Sequence, residues 1–551
     1  MDLTVKQVSS LEKIRSTDAL NHVEIHNKTV MQGERFSYQI CVRCDERLQL
    51  LTEVESPLAD CISLYHVREV PMDAPVTEAF DTPEDYITLT PGLMPDLLIP
   101  MEETDYQLSI GQKAKTIWVK VDIPKDMEPG TYAIKIKMTI NQNGGKYVGT
   151  FYQNMRIEVI PAVMPAQKLI YTRWFYADCI AVAHDVEIYS EKHWDLIDKY
   201  IAAAADTGIN MILIPTHTPP LDTEIGTARP CVQLIDIEKC DTKYVFGFDK
   251  FRRFIDICKK NGIKYFEIAH MFSQWGAKCA PNIMVTENGK TDYMFGWHVA
   301  ADSDEYVSFL KQYIAAISDE LNKEGISENT YFHISDEPSL NSLNTYKTAS
   351  EIIRPLIGNS KTFDALSNYE FYEKKLVECP VTSVGQIHDF LEHDIENQWT
   401  YYCCGPQKVF TNSLMAMPSY RTRILGFLLY KYNIKGFLHW GFNFYNAERS
   451  IYPINPYLTT SSDKAFPSGD PFIVYPGKDC VYGSIRGEIM YEAIQDMNIC
   501  FALEEAIGRD AVVKMIDAAA GFDLRFDDYP RNKEFIENLR AKMIEMIKSN
   551  K

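Results

Sequence analysis

The segment Tyr331-Phe-His-Ile-Ser-Asp-Glu-Pro338 is a short apolar strand that ends in two carboxylates and a proline. It belongs to a series of eight such strands, which alternates with helical segments after residue 165. This alternation is typical of βα units, and eight of them can close into a barrel. The sequence therefore predicts an α/β protein built on a (β/α)8 TIM barrel. The predicted strands are 169–175, 209–214, 264–268, 330–334, 361–365, 381–384, 400–403 and 435–440.

Segments with helical periodicity fill most intervals between these strands, namely 193–206, 248–261, 304–322 and 418–432. Before the barrel, short β-rich runs alternate with turn signals such as Pro129-Gly130, which predicts an antiparallel β-sandwich. From residue 486 onward the pattern is helical. We therefore predict three parts. They are a β-sandwich domain over 1–163, the barrel over 164–500, and a C-terminal helical extension over 501–551 that packs on the barrel.

The composition excludes several classes of function. The 551 residues carry 56 basic and 76 acidic side chains, a net charge of −20, so the basic surface that nucleic-acid binding needs is missing. No run approaches the roughly 18 apolar residues of a membrane-spanning helix, so we expect no membrane insertion. The thirteen cysteines follow no disulfide framework and suit reduced thiols. No signal peptide is visible at the N-terminus, so we expect a cytoplasmic protein, or a secreted one if a leader was removed.

Two carboxylates, Asp336 and Glu337, leave the fourth predicted strand together. Barrel enzymes place their active sites at this end of the strands, which favours a catalytic role over a mere helix cap. Retaining glycosidases usually hold two carboxylates about 5 Å apart on opposite sides of the scissile bond. Neighbouring residues, with Cα atoms about 3.8 Å apart, cannot easily straddle a sugar in this way. They can act on one side instead. Glu337 would protonate the leaving oxygen, and Asp336 would orient a 2-acetamido group of the substrate as the nucleophile.

Two alternatives remain open. One is a conventional barrel glycosidase on a sugar without an acetamido group, with Glu337 as the acid/base and a nucleophilic Glu on strand seven. Strand seven and its continuation read Trp399-Thr-Tyr-Tyr-Cys-Cys-Gly-Pro406 and contain no carboxylate, which counts against this mechanism. The other alternative is a barrel that binds carbohydrate without hydrolysing it.

Aromatic and hydrogen-bonding side chains occupy the other strand ends, as a carbohydrate site requires. Trp440 is predicted to form the floor of a sugar pocket, with Tyr402 and Asn443 beside it. His270 and His333 lack the spacing of metal ligands, so we predict no metal and no cofactor. The candidate substrate-binding residues are Arg173, Trp174, His270, Trp275, Tyr402, Trp440, Asn443 and Asn446.

Three of these segments carry a family resemblance. Ile334-Ser-Asp-Glu-Pro338, Phe266-Glu-Ile-Ala-His-Met-Phe-Ser-Gln-Trp-Gly276 and Gly436-Phe-Leu-His-Trp-Gly-Phe-Asn443 resemble glycoside hydrolase family 123. The region 400–500 is similar to the domain of unknown function 4091. The resemblance implies a β-sandwich followed by a barrel, and an exo-acting β-N-acetylgalactosaminidase with substrate-assisted retention. It places the family's Asp-Glu pair on Asp336 and Glu337. The implied partner is a glycan or glycoconjugate that ends in a β-linked N-acetylhexosamine.

Overall fold

The computed structural model describes residues 3–77, 85–103, 107–108, 113–142 and 145–550. The described N-terminal part consists mainly of β-strands. In chain order these strands are β1 (Leu3–Ser9), β2 (Asn27–Gln32), β3 (Arg35–Cys44), β4 (Leu48–Glu55), β5 (Ile62–Met72), β6 (Gly92–Pro100), β7 (Gln107–Leu108), β8 (Lys113–Asp122), β9 (Gly130–Gln142) and β10 (Tyr147–Val163).

The second part of the chain contains a closed barrel. Its strands and those around it are β11 (Ile170–Arg173), β12 (Met211–Ile214), β13 (Asp236–Cys240), β14 (Lys243–Gly247), β15 (Tyr265–Ile268), β16 (Ile283–Glu287), β17 (Lys290–Phe295), β18 (Thr330–Phe332), β19 (Lys361–Leu366), β20 (Cys379–Ser383), β21 (Trp399–Tyr401), β22 (Gly436–His439), β23 (Tyr475–Pro476) and β24 (Val481–Ser484). Within residues 145–550, eight parallel strands close in the order β11-β12-β15-β18-β19-β20-β21-β22. The predicted barrel and all eight of its strands are confirmed. The predicted and observed strand ends differ by a few residues. The second strand, for example, begins at residue 211 and was predicted to begin at 209.

The N-terminal strands form two facing sheets, as predicted. Among the described residues, one sheet has the order β1-β3-β8-β5-β6-β24-β23 and the other β2-β10-β9-β4-β7. Pairing is antiparallel except for β10 with β2, which run parallel. The core between the sheets is made of the inward-facing residues of strands from both sheets, including Val30, Ile40, Val119, Ile136 and Ile157. Two strands of the first sheet, β23 and β24, come from beyond the barrel, so the sandwich is completed by the C-terminal part of the chain.

The helices lie between and after the barrel strands. They are α1 (Ala177–Ala183), α2 (Glu191–Asp206), α3 (Asp249–Lys260), α4 (Asp304–Lys323), α5 (Leu343–Ile353), α6 (Glu370–Glu373), α7 (Ile387–Leu391), α8 (Tyr420–Arg423), α9 (Leu425–Lys431), α10 (Ile485–Ile507), α11 (Arg509–Ala520) and α12 (Lys533–Ser549). The hydroxyls of Ser190 and Ser303 cap α2 and α4 and accept backbone N–H groups of the first turn. The segment predicted as one helix over 418–432 is divided into α8 and α9. At the division, Phe427 N–H donates to the carbonyl of Ile424 three residues back, a tighter turn than that of an α-helix.

A small sheet that the sequence analysis did not predict projects from two of the barrel loops. Strands β13 and β14 follow the second barrel strand, while β16 and β17 follow the third, and they pair in the order β14-β13-β16-β17. The ring of Tyr244 packs edge-on against Phe309 of α4, with 5.0 Å between the ring centroids. These hairpins therefore extend one side of the barrel.

Helix α10 joins the sandwich to the barrel through buried charges. Arg486 donates from Nη2 to Asp96 Oδ2 on β6 at 2.8 Å, and Arg423 donates from Nε to Asp496 Oδ2 at 2.7 Å. Glu492 accepts the backbone N–H of Ser37 on β3 at 3.0 Å. Because buried charges are stable only when paired and hydrogen-bonded, these contacts fix how the two parts pack. Among the described residues, no helix is both long enough and apolar enough to span a membrane.

Candidate active site

A cavity of about 650 Å³, including its open mouth, lies at the C-terminal ends of the barrel strands. This is the end at which barrel enzymes carry their active sites. Five of the predicted site residues line it, including both members of the carboxylate pair. The lining residues are Trp174, Tyr176, Leu221, Asp222, Gln274, Trp275, Asp336, Glu337, Ala365, Tyr401, Cys403, Cys404, Leu438, Trp440 and Phe466.

Glu337 faces the cavity and is held by a tyrosine from strand seven. Its backbone has φ of +40°, a left-handed conformation that is uncommon for a residue with a side chain. Tyr401, the last residue of β21, donates its hydroxyl to Glu337 Oε1 at 2.5 Å. Burial and the charge of Glu337 raise the pKa of the Tyr401 phenol well above its usual value, so the phenol remains a donor. One oxygen of Glu337 is therefore fixed, and the other remains available to a ligand.

Asp336 is half-buried and lies deeper in the cleft. Its carbonyl oxygen accepts the backbone N–H of Trp275 at 2.9 Å, which ties the loop after strand four to the loop after strand three. Burial raises the pKa of Asp336 well above its usual value, and the charge of Glu337 raises it further. The free site therefore disfavours two negative charges at once.

A buried histidine links two further carboxylates below the pair. His333 approaches Asp364 Oδ1 through Nδ1 at 3.0 Å and Glu267 Oε2 through Nε2 at 2.9 Å. Burial alone would lower the pKa of His333, but the hydrogen bonds to Asp364 and Glu267 outweigh it and raise the pKa to about 9. Glu267 Oε2 also accepts the indole N–H of Trp174 at 2.9 Å. The protonated histidine thus fixes the carboxylate that orients Trp174 in the cavity wall.

We expect His333→Gln to change how stability depends on pH. The folded-state pKa lies above the usual 6.5, so the protonated ring stabilises the fold fully below pH 6.5 and loses this contribution as pH rises through about 9. The shift corresponds to a contribution of about 3 kcal/mol to the free energy of unfolding. In thermal melts, the difference between wild type and variant should be largest near pH 6 and shrink above pH 9. A difference that stays constant over this range would contradict a charged His333.

His270 does not reach the cavity but stacks on His333, with 3.9 Å between the ring centroids. Donor atoms of His270, His333 and Asp364 lie within 4.8 Å of one another, a spacing that could hold a metal ion. However, both ring nitrogens of His333 already face carboxylates at hydrogen-bond distance. The donor set therefore fits a protonated histidine between two carboxylates better than a metal ligand.

Two other predicted sugar-binding residues support the cavity from behind. Arg173 is buried and donates to the hydroxyl of Tyr171 at 2.7 Å and to the carbonyl of Gly441 at 3.0 Å. Tyr402 is also buried, with its ring edge-on to those of Phe437 and His439. Neither lines the cavity. Alternate residues of a strand point to opposite faces, so Tyr401 rather than Tyr402 enters the site.

The two predicted asparagines also lie outside the cavity lining. Asn443 is buried, accepting the N–H of Tyr176 at 2.9 Å and donating to its carbonyl at 3.0 Å. Asn446 donates to the sulfur of Cys179 at 3.4 Å. These side chains position the loop after strand one instead of facing a ligand. Trp440 does line the cavity, and its indole N–H donates to Asp470 Oδ2 at 2.8 Å.

Asp222 is a third carboxylate in the cavity, and the sequence analysis did not identify it. Its Oδ2 accepts the backbone N–H of Arg449 at 2.9 Å, which connects the loops after strands two and eight. Burial raises the pKa of Asp222 to about 6. Asp222 lies eight residues beyond the end of β12, so its distance from the strand concealed it. Phe466 was missed for the same reason, whereas Tyr176 directly follows the predicted first strand and was not singled out among its aromatic neighbours.

Comparisons with known proteins address the catalytic domain and the overall fold. A family model described as the glycoside hydrolase 123 catalytic domain matches residues 174–503. A solved family 123 glycoside hydrolase from Clostridium perfringens, whose description concerns glycolipid glycan hydrolysis, superposes with a TM-score of 0.73 at 16% identity, over 100% of this chain and 98% of that chain. At this identity the match shows the fold alone.

Two further solved structures are much less similar. A β-glucuronidase from Bifidobacterium dentium has a TM-score of 0.33 at 9% identity, over 90% of this chain and 66% of its own. A family 2 glycosyl hydrolase from Bacteroides cellulosilyticus has a TM-score of 0.26 at 8% identity, over 81% of this chain and 47% of its own. These two similarities are too low to support a conclusion. No curated protein matches the chain in sequence.

Proposed function

This chain belongs to glycoside hydrolase family 123 and is a glycosidase, and from that premise we propose that it is a retaining exo-β-N-acetylhexosaminidase. We propose β-linked N-acetylgalactosamine as its sugar and the substrate's own 2-acetamido group as its nucleophile. The observation that carries the proposal is the adjacent pair Asp336 and Glu337 in the cavity at the barrel mouth. Adjacent carboxylates suit action from one side of the bond better than the two-sided arrangement of ordinary retaining enzymes.

In the proposed first step, Glu337 gives its proton to the glycosidic oxygen. The acetamido carbonyl oxygen attacks the anomeric carbon, the bond to the leaving group breaks, and a cyclic oxazolinium forms. In the second step, Glu337 takes a proton from a water molecule that attacks the same carbon from the vacated side. The ring opens, the acetamide is restored, and the anomeric configuration is retained. Tyr401 keeps one oxygen of Glu337 in place during both steps.

Asp336 has the complementary role of receiving the acetamide N–H. Burial and the charge of Glu337 both oppose the ionisation of Asp336, so a negative charge on Asp336 is unfavourable in the free enzyme. An N–H donor and the positive charge of the oxazolinium both favour the ionised carboxylate. The interaction is therefore stronger in the transition state than in the ground state, which is the condition for catalysis.

The cavity walls suit a sugar ring. Indoles and phenyl rings of Trp174, Tyr176, Trp440 and Phe466 line it and offer apolar surfaces to the C–H faces of a pyranose. The carboxylate of Asp222 lies among them as an acceptor for ring hydroxyls. An aromatic pocket at the barrel mouth supports recognition of a terminal sugar, in keeping with exo action.

A conventional two-carboxylate mechanism is the second candidate, and Asp222 is the observation that favours it. Strand β21 reads Trp399-Thr-Tyr401 and carries no carboxylate. Asp222 is therefore the lining carboxylate, besides the Asp336–Glu337 pair, that could act as a nucleophile with Glu337 as the acid/base. A 2-fluoro sugar traps enzyme-borne nucleophiles. Our proposal expects no labelled carboxylate, whereas a stable adduct on Asp222 would support the conventional mechanism.

A screen of aryl glycosides tests the activity itself. We expect hydrolysis of aryl β-N-acetylgalactosaminide, with weaker or no hydrolysis of aryl β-galactoside and β-glucoside, because these lack the acetamido nucleophile. Hydrolysis of the plain glycosides at equal rates would contradict the proposal. Sugar binding without hydrolysis of any member would assign the chain a binding role.

Trp275 stands at the cavity mouth with 44% of its surface exposed. Trp275, Gly276 and Ala277 all have positive φ, at 59°, 121° and 54°. Hydrogen bonds to the loop after strand four hold this strained turn, including one from Ala277 N to Ser335 Oγ at 3.2 Å. A Cβ on Gly276 would lie 2.5 Å from the Cβ of Ser342. Strain that the surroundings maintain is common at functional sites, and here it presents an indole beside Asp336.

We expect Trp275→Ala to weaken the contact with the leaving group. Loss of the indole surface should lower kcat/KM for a β-linked disaccharide by about 5–30-fold, the equivalent of 1–2 kcal/mol. N-acetylgalactosaminyl fluoride carries no second sugar, so its hydrolysis should be nearly unaffected. An equal loss on both substrates would mean that Trp275 supports the catalytic pair and not the leaving group.

A further inference from the structure

Two adjacent cysteines form part of the cavity wall, and the proposed reaction uses neither. Cys403 and Cys404 line the cavity together with Tyr401 and Glu337. Their Sγ atoms are 3.7 Å apart, and both residues are half-buried. Within the described part of the chain, this is the one cysteine pair whose sulfurs are hydrogen-bonded to each other.

The spacing of the pair disfavours a direct disulfide. Consecutive Cα atoms are about 3.8 Å apart, below the usual range of about 4.4–6.8 Å for bridged cysteines. Both cysteines are free thiols. The sulfur separation instead fits a third atom between them. Two zinc–sulfur bonds of about 2.3 Å at a tetrahedral angle span roughly 3.7–3.8 Å, and the sulfur bonds of other thiophilic centres are of comparable length.

We propose that Cys403 and Cys404 form a bidentate dithiol site for a thiophilic centre, either a trivalent arsenical or a soft divalent cation such as Cd²⁺, and that its occupation blocks the catalytic cavity. With an arsine oxide, two As–S bonds form, the As=O bond breaks, and its oxygen leaves as water with the two thiol protons. With Cd²⁺, two Cd–S bonds form and two protons pass to solvent. No oxidant or reductant takes part in either reaction.

The surroundings explain why occupation of the pair would block the cavity. Any group that bridges the sulfurs lies beside Glu337 and Tyr401, in the space where the substrate ring would bind.

Phenylarsine oxide is the first probe, applied to the reduced full chain after removal of the reductant. Peptide mass spectrometry should find one phenylarsenic group across the peptide that contains both cysteines. Activity should fall in proportion to this modification and return with 2,3-dimercaptopropanol but not with a monothiol. A thiazoline ligand in the cavity should slow the modification.

Variants assign the site. Cys403→Ser and Cys404→Ser should each lose the bridged adduct, while Cys240→Ser, which alters an exposed cysteine on β13, should retain it. Two serine variants at the site guard against the misfolding of one. In the second arm, Cd²⁺ should produce thiolate-to-metal absorption in wild type and in Cys240→Ser but in neither site variant.

The mass and absorption measurements need no substrate, so they test the site even if the proposed activity is wrong. An adduct confined to other cysteines, or absorption that persists in both site variants, would overturn the assignment. Full modification of the pair with undiminished glycosidase activity would overturn the claim that its occupation blocks the cavity.

Discussion

Replacing Glu337 with glutamine should lower kcat by about 10²–10⁴-fold on substrates with poor leaving groups. Glutamine has nearly the same shape and can still accept the hydroxyl of Tyr401, but it has no proton of the required acidity to give. The loss should be largest for a natural β-linked disaccharide. It should be much smaller for a dinitrophenyl glycoside, whose leaving group departs with little protonation.

The matched control is Glu328→Gln, an exposed carboxylate that precedes the same strand at the opposite end of the barrel. This variant should keep wild-type kinetics and stability. Tyr401→Phe provides an intermediate case, because it removes the hydrogen bond to Glu337 but leaves the acid itself. Equal activity of Glu337→Gln and wild type on the disaccharide would refute the role of Glu337 as the acid.

Replacing Asp336 with asparagine should reduce turnover far more than binding. Asparagine keeps a hydrogen-bonding side chain of similar shape, but it lacks the negative charge that stabilises the oxazolinium. An interaction made mainly in the transition state lowers kcat and kcat/KM together and leaves KM nearly unchanged. We expect a loss of about 10²–10³-fold, as is typical for the removal of one electrostatic contact to a developing charge.

Thiazoline analogues of N-acetylhexosamines provide a second measurement for the same variant. They resemble the cyclic intermediate, so they should inhibit the wild type and bind Asp336→Asn less tightly. Glu337→Gln is the control for this measurement. Its affinity for the thiazoline should stay near that of the wild type, because the proposed role of Glu337 is to protonate the leaving oxygen and not to contact the thiazoline ring. Undiminished thiazoline affinity in Asp336→Asn would separate Asp336 from the acetamido group.

Much of this architecture could be predicted from the sequence because each barrel strand is a short apolar run between helical segments. Hydrophobic periodicity reports burial, and burial on both faces distinguishes the strands of a barrel. Asp336 and Glu337 could be located because they directly follow such a strand. The small sheet of β13, β14, β16 and β17 escaped prediction because its strands are partly exposed and carry no comparable apolar pattern.

The site was harder to predict where residues are separated from strand ends or share a strand with similar neighbours. Tyr401 and Tyr402 have the same side chain. Only the face of the strand on which each side chain lies determines that Tyr401 contacts Glu337. Asn443 has the chemistry of a sugar ligand, but it satisfies the buried backbone of Tyr176 instead. Asp222 reaches the cavity through a long loop whose path depends on its contact with Arg449.

The central claim is that the substrate's acetamido oxygen attacks the anomeric carbon, and a substituent series measures this most directly. The rate of hydrolysis is compared across aryl β-galactosaminides whose N-acyl group is acetyl, fluoroacetyl, difluoroacetyl or trifluoroacetyl. Each fluorine withdraws electrons from the carbonyl oxygen and weakens it as a nucleophile, with little change in size. Our account predicts a steep and regular fall in kcat with each added fluorine. A rate that is independent of fluorination would show that the acetamido group is a bystander and would contradict the mechanism.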